Sequence, residues 1–223
     1  GNMLSAARTF SLLDIPVIGI NRGELGFLTD LSPDTLAESL KAILQGQFKE
    51  EQRFLIQGSV QRNGEEVHQF NALNDIVLFP GKHAQLIEFE VSINDQFVYR
   101  LRADGLIIAT PTGSTAYALS AGGPIIDGQL NTLLLVPKLP HTLSNRPIVI
   151  DGNSTISIHL CPANPSHAAL SFDGQEDVKL NFEDIITVRR QQRSLRLLHP
   201  IDHNPYHVLR NKLQWSKQLI PLK

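Results

Sequence analysis

A chain of 223 residues, 42% apolar and 19% charged, is long enough for one large domain or two modest ones with an ample core. A formal charge of −2 gives no support for nucleic acid as a partner, and no apolar run approaches the roughly 20 residues needed to span a bilayer. The single cysteine, Cys161, excludes an internal disulfide framework and fits a reducing cytoplasm; at the end of a strand-like run it reads as a packed thiol rather than a nucleophile.

The first stretch alternates helix and strand. Met3 to Leu13 carries apolar residues at helical spacing, and Pro16 to Ile20 reads as a short buried strand. Gly23 and Gly26 mark a loop. Ser32 as N-cap with Pro33 at the first helical position predicts a helix to about Gln45, before Gly46. That order is typical of a doubly wound α/β unit, and about two such units are here, too few for a domain.

After Gly46 the texture becomes β. Phe54 to Val60 and Val67 to Leu73 flank Asn63-Gly64, a strong hairpin signal. Ile87 to Ile93 and Phe97 to Leu101 flank Asn94-Asp95. Pro147 to Ile150 and Thr155 to Leu160 flank Asp151-Gly152, and Ala168 to Phe172 and Val178 to Phe182 flank Asp173-Gly174. Ile185 to Arg190 leads to Leu195 to Leu198. Many short strands at regular spacing predict an antiparallel sandwich over 51–198. Asn74-Asp75 interrupts the apolar run Leu73 to Phe79, so these polar groups need partners, either an internal network or a ligand.

Within the β region lies Asp104-Gly-Leu-Ile-Ile-Ala-Thr-Pro-Thr-Gly-Ser-Thr-Ala-Tyr-Ala-Leu-Ser120. Leu106 to Ala109 reads as a buried strand, and the hydroxyls of Thr112, Ser114 and Thr115 open one embedded helix. Small residues at such a turn let backbone N–H groups face an anion, phosphate above all; the other reading is an N-capped, tightly packed helix. Asp104 suits either ribose hydroxyls or its own backbone. In the tail, 199–223, Tyr206 to Trp215 is helix-like. His203 and His207 sit four apart, but Pro205 between them argues against a shared helical face, and no metal site is expected.

Taken together, these segments resemble the NAD kinase family in its bacterial form. The resemblance rests on Gly1-Asn-Met-Leu4, Gly19-Ile-Asn-Arg-Gly-Glu-Leu-Gly-Phe27, Leu73-Asn-Asp-Ile-Val77, Arg102 to Tyr117 with Gly122-Gly-Pro124, and Pro140 to Pro147. It implies an α/β N-terminal domain (1–50 here), a β-sandwich dinucleotide-binding domain (51–198), and a tail that returns to the first. It implies phosphorylation of the 2′-hydroxyl of the adenosine ribose of NAD by ATP or polyphosphate, with Mg²⁺, giving NADP, in a cytoplasmic homodimer or homotetramer. Asn74 and Asp75 would hold ribose hydroxyls, and Asp104, with Arg102, the nicotinamide end. Thr115, Ala116, Tyr117, Ala118, Leu119 and Ser120 would line the adenosine pocket; Gly1, Leu4 and Phe27 would shape the cleft, Gln175 would add a contact, and His141 would approach a neighbouring subunit's site.

The family's Gly-Gly-Asp-Gly signature is met at its last glycine, Gly1, and its general-base aspartate is expected immediately before that residue. The chain as written is therefore expected to bind without appreciable turnover, and no catalytic residue is assigned within it. Asp75 stands where many relatives have Glu, which keeps the carboxylate. The competing expectations are a lipid kinase of the diacylglycerol or sphingosine type, sharing the same signature, and a non-catalytic dinucleotide-binding fragment.

Overall fold

The computed structural model describes residues 2–21, 26–29, 31–81, 86–142, 144–162 and 168–215. Gly1, and the part of the Gly19–Phe27 motif at 22–25, lie outside them. The elements are α1 (Asn2–Leu12), α2 (Leu36–Leu44), β1 (Phe48–Arg62), β2 (Glu65–Ala72), β3 (Asp75–Pro80), β4 (Ile87–Ile93), β5 (Gln96–Ala103), β6 (Gly105–Ala109), a 3₁₀ turn (Gly113–Thr115), α3 (Tyr117–Ser120), β7 (Thr132–Lys138), β8 (Ile148–Asp151), β9 (Ile156–Leu160), β10 (Ala168–Phe172), β11 (Glu176–Lys179), β12 (Ile185–Pro200) and α4 (Pro205–Leu213). None of these helices is long and apolar enough to cross a membrane.

The strands form two six-stranded sheets, ordered β2-β1-β12-β9-β4-β5 and β11-β10-β3-β6-β7-β8, with antiparallel pairing throughout. Strand periodicity of two explains the layers. Ile56, Val60, Phe89, Val91 and Val188 of the first sheet pack against Ile76, Leu78, Leu106, Ile108, Leu135 and Phe172 of the second. The intervening residues of the second sheet, Val77, Ile107, Ala109, Leu134 and Val136, face outward under Ala118 and Ile126. Central β6 is therefore buried on both faces, which is why it reads as a continuous apolar run. On the outer face of the first sheet, Leu55, Leu195 and Leu197 meet Ala7 of α1 and the nearby Leu73.

Three of the expected hairpins form, and their turns show why: Asn63-Gly64, Asn94-Asp95 and Asp173-Gly174 all adopt positive φ, matching the strand twist. Asp151-Gly152 does not close a hairpin. β8 pairs with β7 in the second sheet, whereas β9 pairs with β4 and β12 in the first, so this turn crosses the sandwich. Ile185 to Leu198 is one long strand rather than two. Pro16 to Ile20 makes only isolated bridges, Val17 to Leu197 and Ile20 to Leu31. The second helix begins at Leu36, because Ser32 directs its hydroxyl to the backbone N–H and side chain of Thr35 in a preceding turn.

Candidate functional site

The polar break leading into β3 is held by hydrogen bonds from two sides. The Asp173 carboxylate, in the β10–β11 turn, accepts the backbone N–H groups of Leu73 (3.1 Å), Asn74 (2.7 Å) and Asp75 (3.3 Å). Arg8 of α1 reaches the same carboxylate at 3.5 Å. From the opposite side Thr110 N–H donates to the Asn74 carbonyl (2.9 Å), and the Thr110 hydroxyl donates to the Leu73 carbonyl (2.6 Å). Gly113 lies against the Asn74 carbonyl so closely that any Cβ there would collide with it. The backbone at 73–75 is thus fixed, and its two polar side chains stand at the mouth of a cleft with Val77, Phe79, Ala116, Tyr117, Lys138, Ser171 and Gly174.

Electrostatics at this corner are unusual. Asp75 is only 4% exposed, and burial, with the Asp173 charge beside it, pushes its carboxyl up to about 7. Asp173 is also raised by burial, though its three backbone hydrogen bonds and Arg8 oppose that rise. Two carboxyls that resist ionising together leave Asp75 able to donate as well as accept a hydrogen bond near neutral pH. The Lys138 ammonium lies 5.0 Å from the centre of the Tyr117 ring, putting a cation and an aromatic face side by side across the cleft.

The hydroxyl-rich turn after β6 proves to be closed on itself. Ser114 Oγ donates to the Pro111 carbonyl (2.6 Å) and accepts Ile126 N–H (3.0 Å); Thr115 Oγ1 donates to the Thr112 carbonyl (3.2 Å). The N–H groups of Gly113, Ser114 and Ala116 are likewise taken by Thr110 and Gly113. Packing, not an anion cradle, uses these groups. The embedded helix is a 3₁₀ turn plus the single turn Tyr117–Ser120.

The fold brings Asn74, Asp75, Ala116 and Tyr117 to one cleft. Ala118 is fully buried against the sheet, so its side chain offers nothing to a ligand. Leu119 is half-buried and Ser120 exposed on the same short helix. Leu4 packs beside Leu73 under α1. Gln175 is exposed, with its side-chain oxygen accepting from Ser5 Oγ (3.1 Å) and Arg8 (2.6 Å). Arg102, Asp104 and His141 gather elsewhere: His141 N–H donates to the Arg102 carbonyl and Asp104 N–H to that of Lys138, both at 2.9 Å. Since Ala109, not Asp104, pairs with Asp75, this second group stands ~16 Å away along β6. Nothing local in the sequence marks Arg8 or Lys138, and Asp173 reads there only as a turn residue.

Phe27 and Thr115 line a different cleft of about 470 Å³, with Glu51, Arg53, Thr112, Asp127, His203, Tyr206 and Trp215 on its walls. Pro205 is the first residue of α4, and the Asn204 side chain caps it by accepting Tyr206 N–H (3.0 Å) and His207 N–H (3.2 Å). His203 therefore precedes the helix that carries His207, and the two do not share a helical face.

Comparison with known proteins adds the following. The family model described as the ATP-NAD kinase C-terminal domain matches residues 73–199, and that of the N-terminal domain matches residues 1–48. NAD kinases of Chromohalobacter salexigens and Shewanella piezotolerans are each 52% identical over 98% of this chain, which spans 75% and 71% of their lengths. The crystal structure of yeast NADH kinase complexed with NADH superposes with a TM-score of 0.90 at 26% identity; the match covers 99% of this chain and 65% of the yeast chain. An NAD kinase from Archaeoglobus fulgidus in complex with ATP superposes with a TM-score of 0.72 at 28% identity, covering 89% of this chain and 74% of that one.

Proposed function

The chain belongs to the NAD kinase family, and we propose that its Asn74–Asp75 cleft holds NAD while a phosphoryl group passes from ATP to the 2′-hydroxyl of the adenosine ribose, giving NADP. One observation supports the reading above the rest. A carboxamide and a carboxyl of raised pKa stand side by side on an immobilised backbone, next to an exposed aromatic face.

In this reading Tyr117 stacks on adenine, and Asn74 and Asp75 bind the ribose hydroxyls. Phosphoryl transfer depends mainly on positioning and on charge neutralisation. Fixing the acceptor ribose through residues 73–75 supplies the positioning, and Lys138 supplies a cation near the cleft. Leu4 packs beside Leu73 under the cleft, Phe27 and Thr115 line the neighbouring cleft, and Gln175, carried on the same turn as Asp173, adds a contact. Arg102, Asp104 and His141 serve the nicotinamide end. Their separation from Asn74 suits a long ligand that runs between copies in a homodimer or homotetramer. The division into 1–50, 51–198 and a returning tail belongs to the same proposal, as does a cytoplasmic setting.

The divalent cation is expected to arrive on the phosphates of ATP. Among the described residues, the group able to enclose a cation is Glu51, His199 and His203, and its two imidazoles suit magnesium poorly. A lipid-kinase reading would need an apolar channel, whereas the cleft presents Asn74, Asp75, Lys138, Ser171 and Asp173. The test is NADP formation from NAD, ATP and Mg²⁺ by the full-length protein, beside Asn74→Ala. The expected result is turnover that the substitution cuts at least tenfold. Absence of turnover, or an unaffected variant, contradicts the proposal.

A further inference from the structure

Two donors on the wall of the 470 Å³ cleft, Glu51 and His203, stand beside a third, His199, and the proposed chemistry uses none of them. Glu51 on β1 and His199 on β12 lie on adjacent strands, where Glu51 pairs with Leu197 and Lys49 with His199, so the two side chains meet diagonally on one face. His199 Nε2 is 3.1 Å from Glu51 Oε2, and His199 is only 4% exposed. The turn after β12, closed by His203 N–H on the Pro200 carbonyl (3.0 Å), folds His203 back so that its ring stacks on His199 at 4.0 Å. One ligand atom from each of the three lies within 4.8 Å of the others. The spacing is His-x3-His, Pro200 to Asp202 between the two, which is a zinc-type spacing made by a turn instead of a helix.

We propose that Glu51, His199 and His203 form a binding site for a first-row divalent cation of the zinc type, with an open coordination position facing the cleft. Two imidazoles and one carboxylate are a donor set zinc takes in sites that keep such a position. Bonds of ~2.0–2.1 Å place tetrahedral ligand atoms ~3.4 Å apart. The Glu51–His199 pair stands 3.1 Å apart, close to that spacing; the proton of its hydrogen bond leaves to solvent when a cation binds, and His203, carried on a turn, is the ligand that closes in. The open position would take water or an anionic oxygen, such as a carboxylate or phosphate.

The Glu51 carboxylate also accepts from the Arg53 guanidinium at 2.9 Å. Arg53 is the competitor, since a cation bound to Glu51 must displace it. Arg53 has somewhere to go, because it already touches the Thr112 hydroxyl at 3.5 Å and its buried Nε has no partner.

The test is Co²⁺ titration of the full-length, metal-free protein, followed by visible d–d absorption. One equivalent should give a saturable tetrahedral band that an equivalent of Zn²⁺ bleaches. His203→Ala, on a turn, should abolish it, as should Glu51→Gln, with folding checked by circular dichroism. His207→Ala, on the exposed face of α4, should leave it unchanged. No saturable band in the wild type, or a band that survives both His203→Ala and Glu51→Gln, overturns the proposal.

Discussion

Asp75→Asn should change how stability depends on pH, in a direction fixed by the environment of Asp75. Its carboxyl rises from an ordinary 3.8 to about 7 because burial, and then the Asp173 charge, disfavour ionisation. Below pH ~3.8 the group is protonated in both folded and unfolded chains and has no effect. Between ~3.8 and ~7 the folded chain keeps a proton that the unfolded chain has lost, so stability falls as pH rises. Above ~7 both are ionised and the whole cost is present. At about 1.36 kcal/mol per pH unit that cost is at most about 4 kcal/mol. Asp173, which can share the proton, lowers it. The carboxamide that replaces the Asp75 carboxyl cannot ionise, so the variant should gain on the wild type by up to ~4 kcal/mol between pH ~4 and pH ~8. Urea unfolding of both proteins across that range measures the difference. A difference that stays flat to within ~0.5 kcal/mol would show that Asp75 ionises normally and that the corner has been misread.

Gly113→Ala should destabilise the protein by ~1–3 kcal/mol and weaken NAD binding together, because a Cβ there displaces the Asn74 carbonyl; thermal unfolding and titration check the two effects. Phe172→Ala, at 1% exposure between the sheets, should cost ~3–5 kcal/mol in urea unfolding with little change in ligand preference. Asp104→Ala should weaken NAD binding by ~1–3 kcal/mol in calorimetry with the fold intact, and unchanged affinity would remove Asp104 from the site. Sedimentation equilibrium at micromolar concentration should give a homo-oligomer, and a single 24.8 kDa species would contradict shared pockets.

What could be read in advance follows from how local each signal is. Asn-Gly and Asp-Gly turns dictate positive φ within two residues, so the β1–β2 and β10–β11 hairpins were legible. Asp151-Gly152 has the same composition but crosses between sheets. Strand partners there are set by which apolar face β8 and β9 bury, and that is decided by distant strands. The polar break at Asn74-Asp75 announced itself against its apolar run. Its anchor did not, because Asp173 lies about a hundred residues away and reads as an ordinary turn aspartate. The hydroxyls at 110–115 allow both a ligand and a packed turn when read from sequence alone. Those of Thr110, Ser114 and Thr115 find a carbonyl or N–H in their own turn or the neighbouring segment, and that of Thr112 meets Arg53 at 3.5 Å. The Glu51–His199–His203 group combines a local spacing with a cross-strand neighbour, and only the β1–β12 register reveals the third donor.

The central claim is that the dinucleotide sits at the Asn74–Asp75 end of the second sheet. Calorimetric titration of NAD into the full-length wild type and Asn74→Ala tests it most directly. The account predicts saturable 1:1 binding per protomer that the substitution weakens at least tenfold, with the thermal midpoint little changed. Equal affinities in the two folded proteins would place the dinucleotide elsewhere and contradict the account.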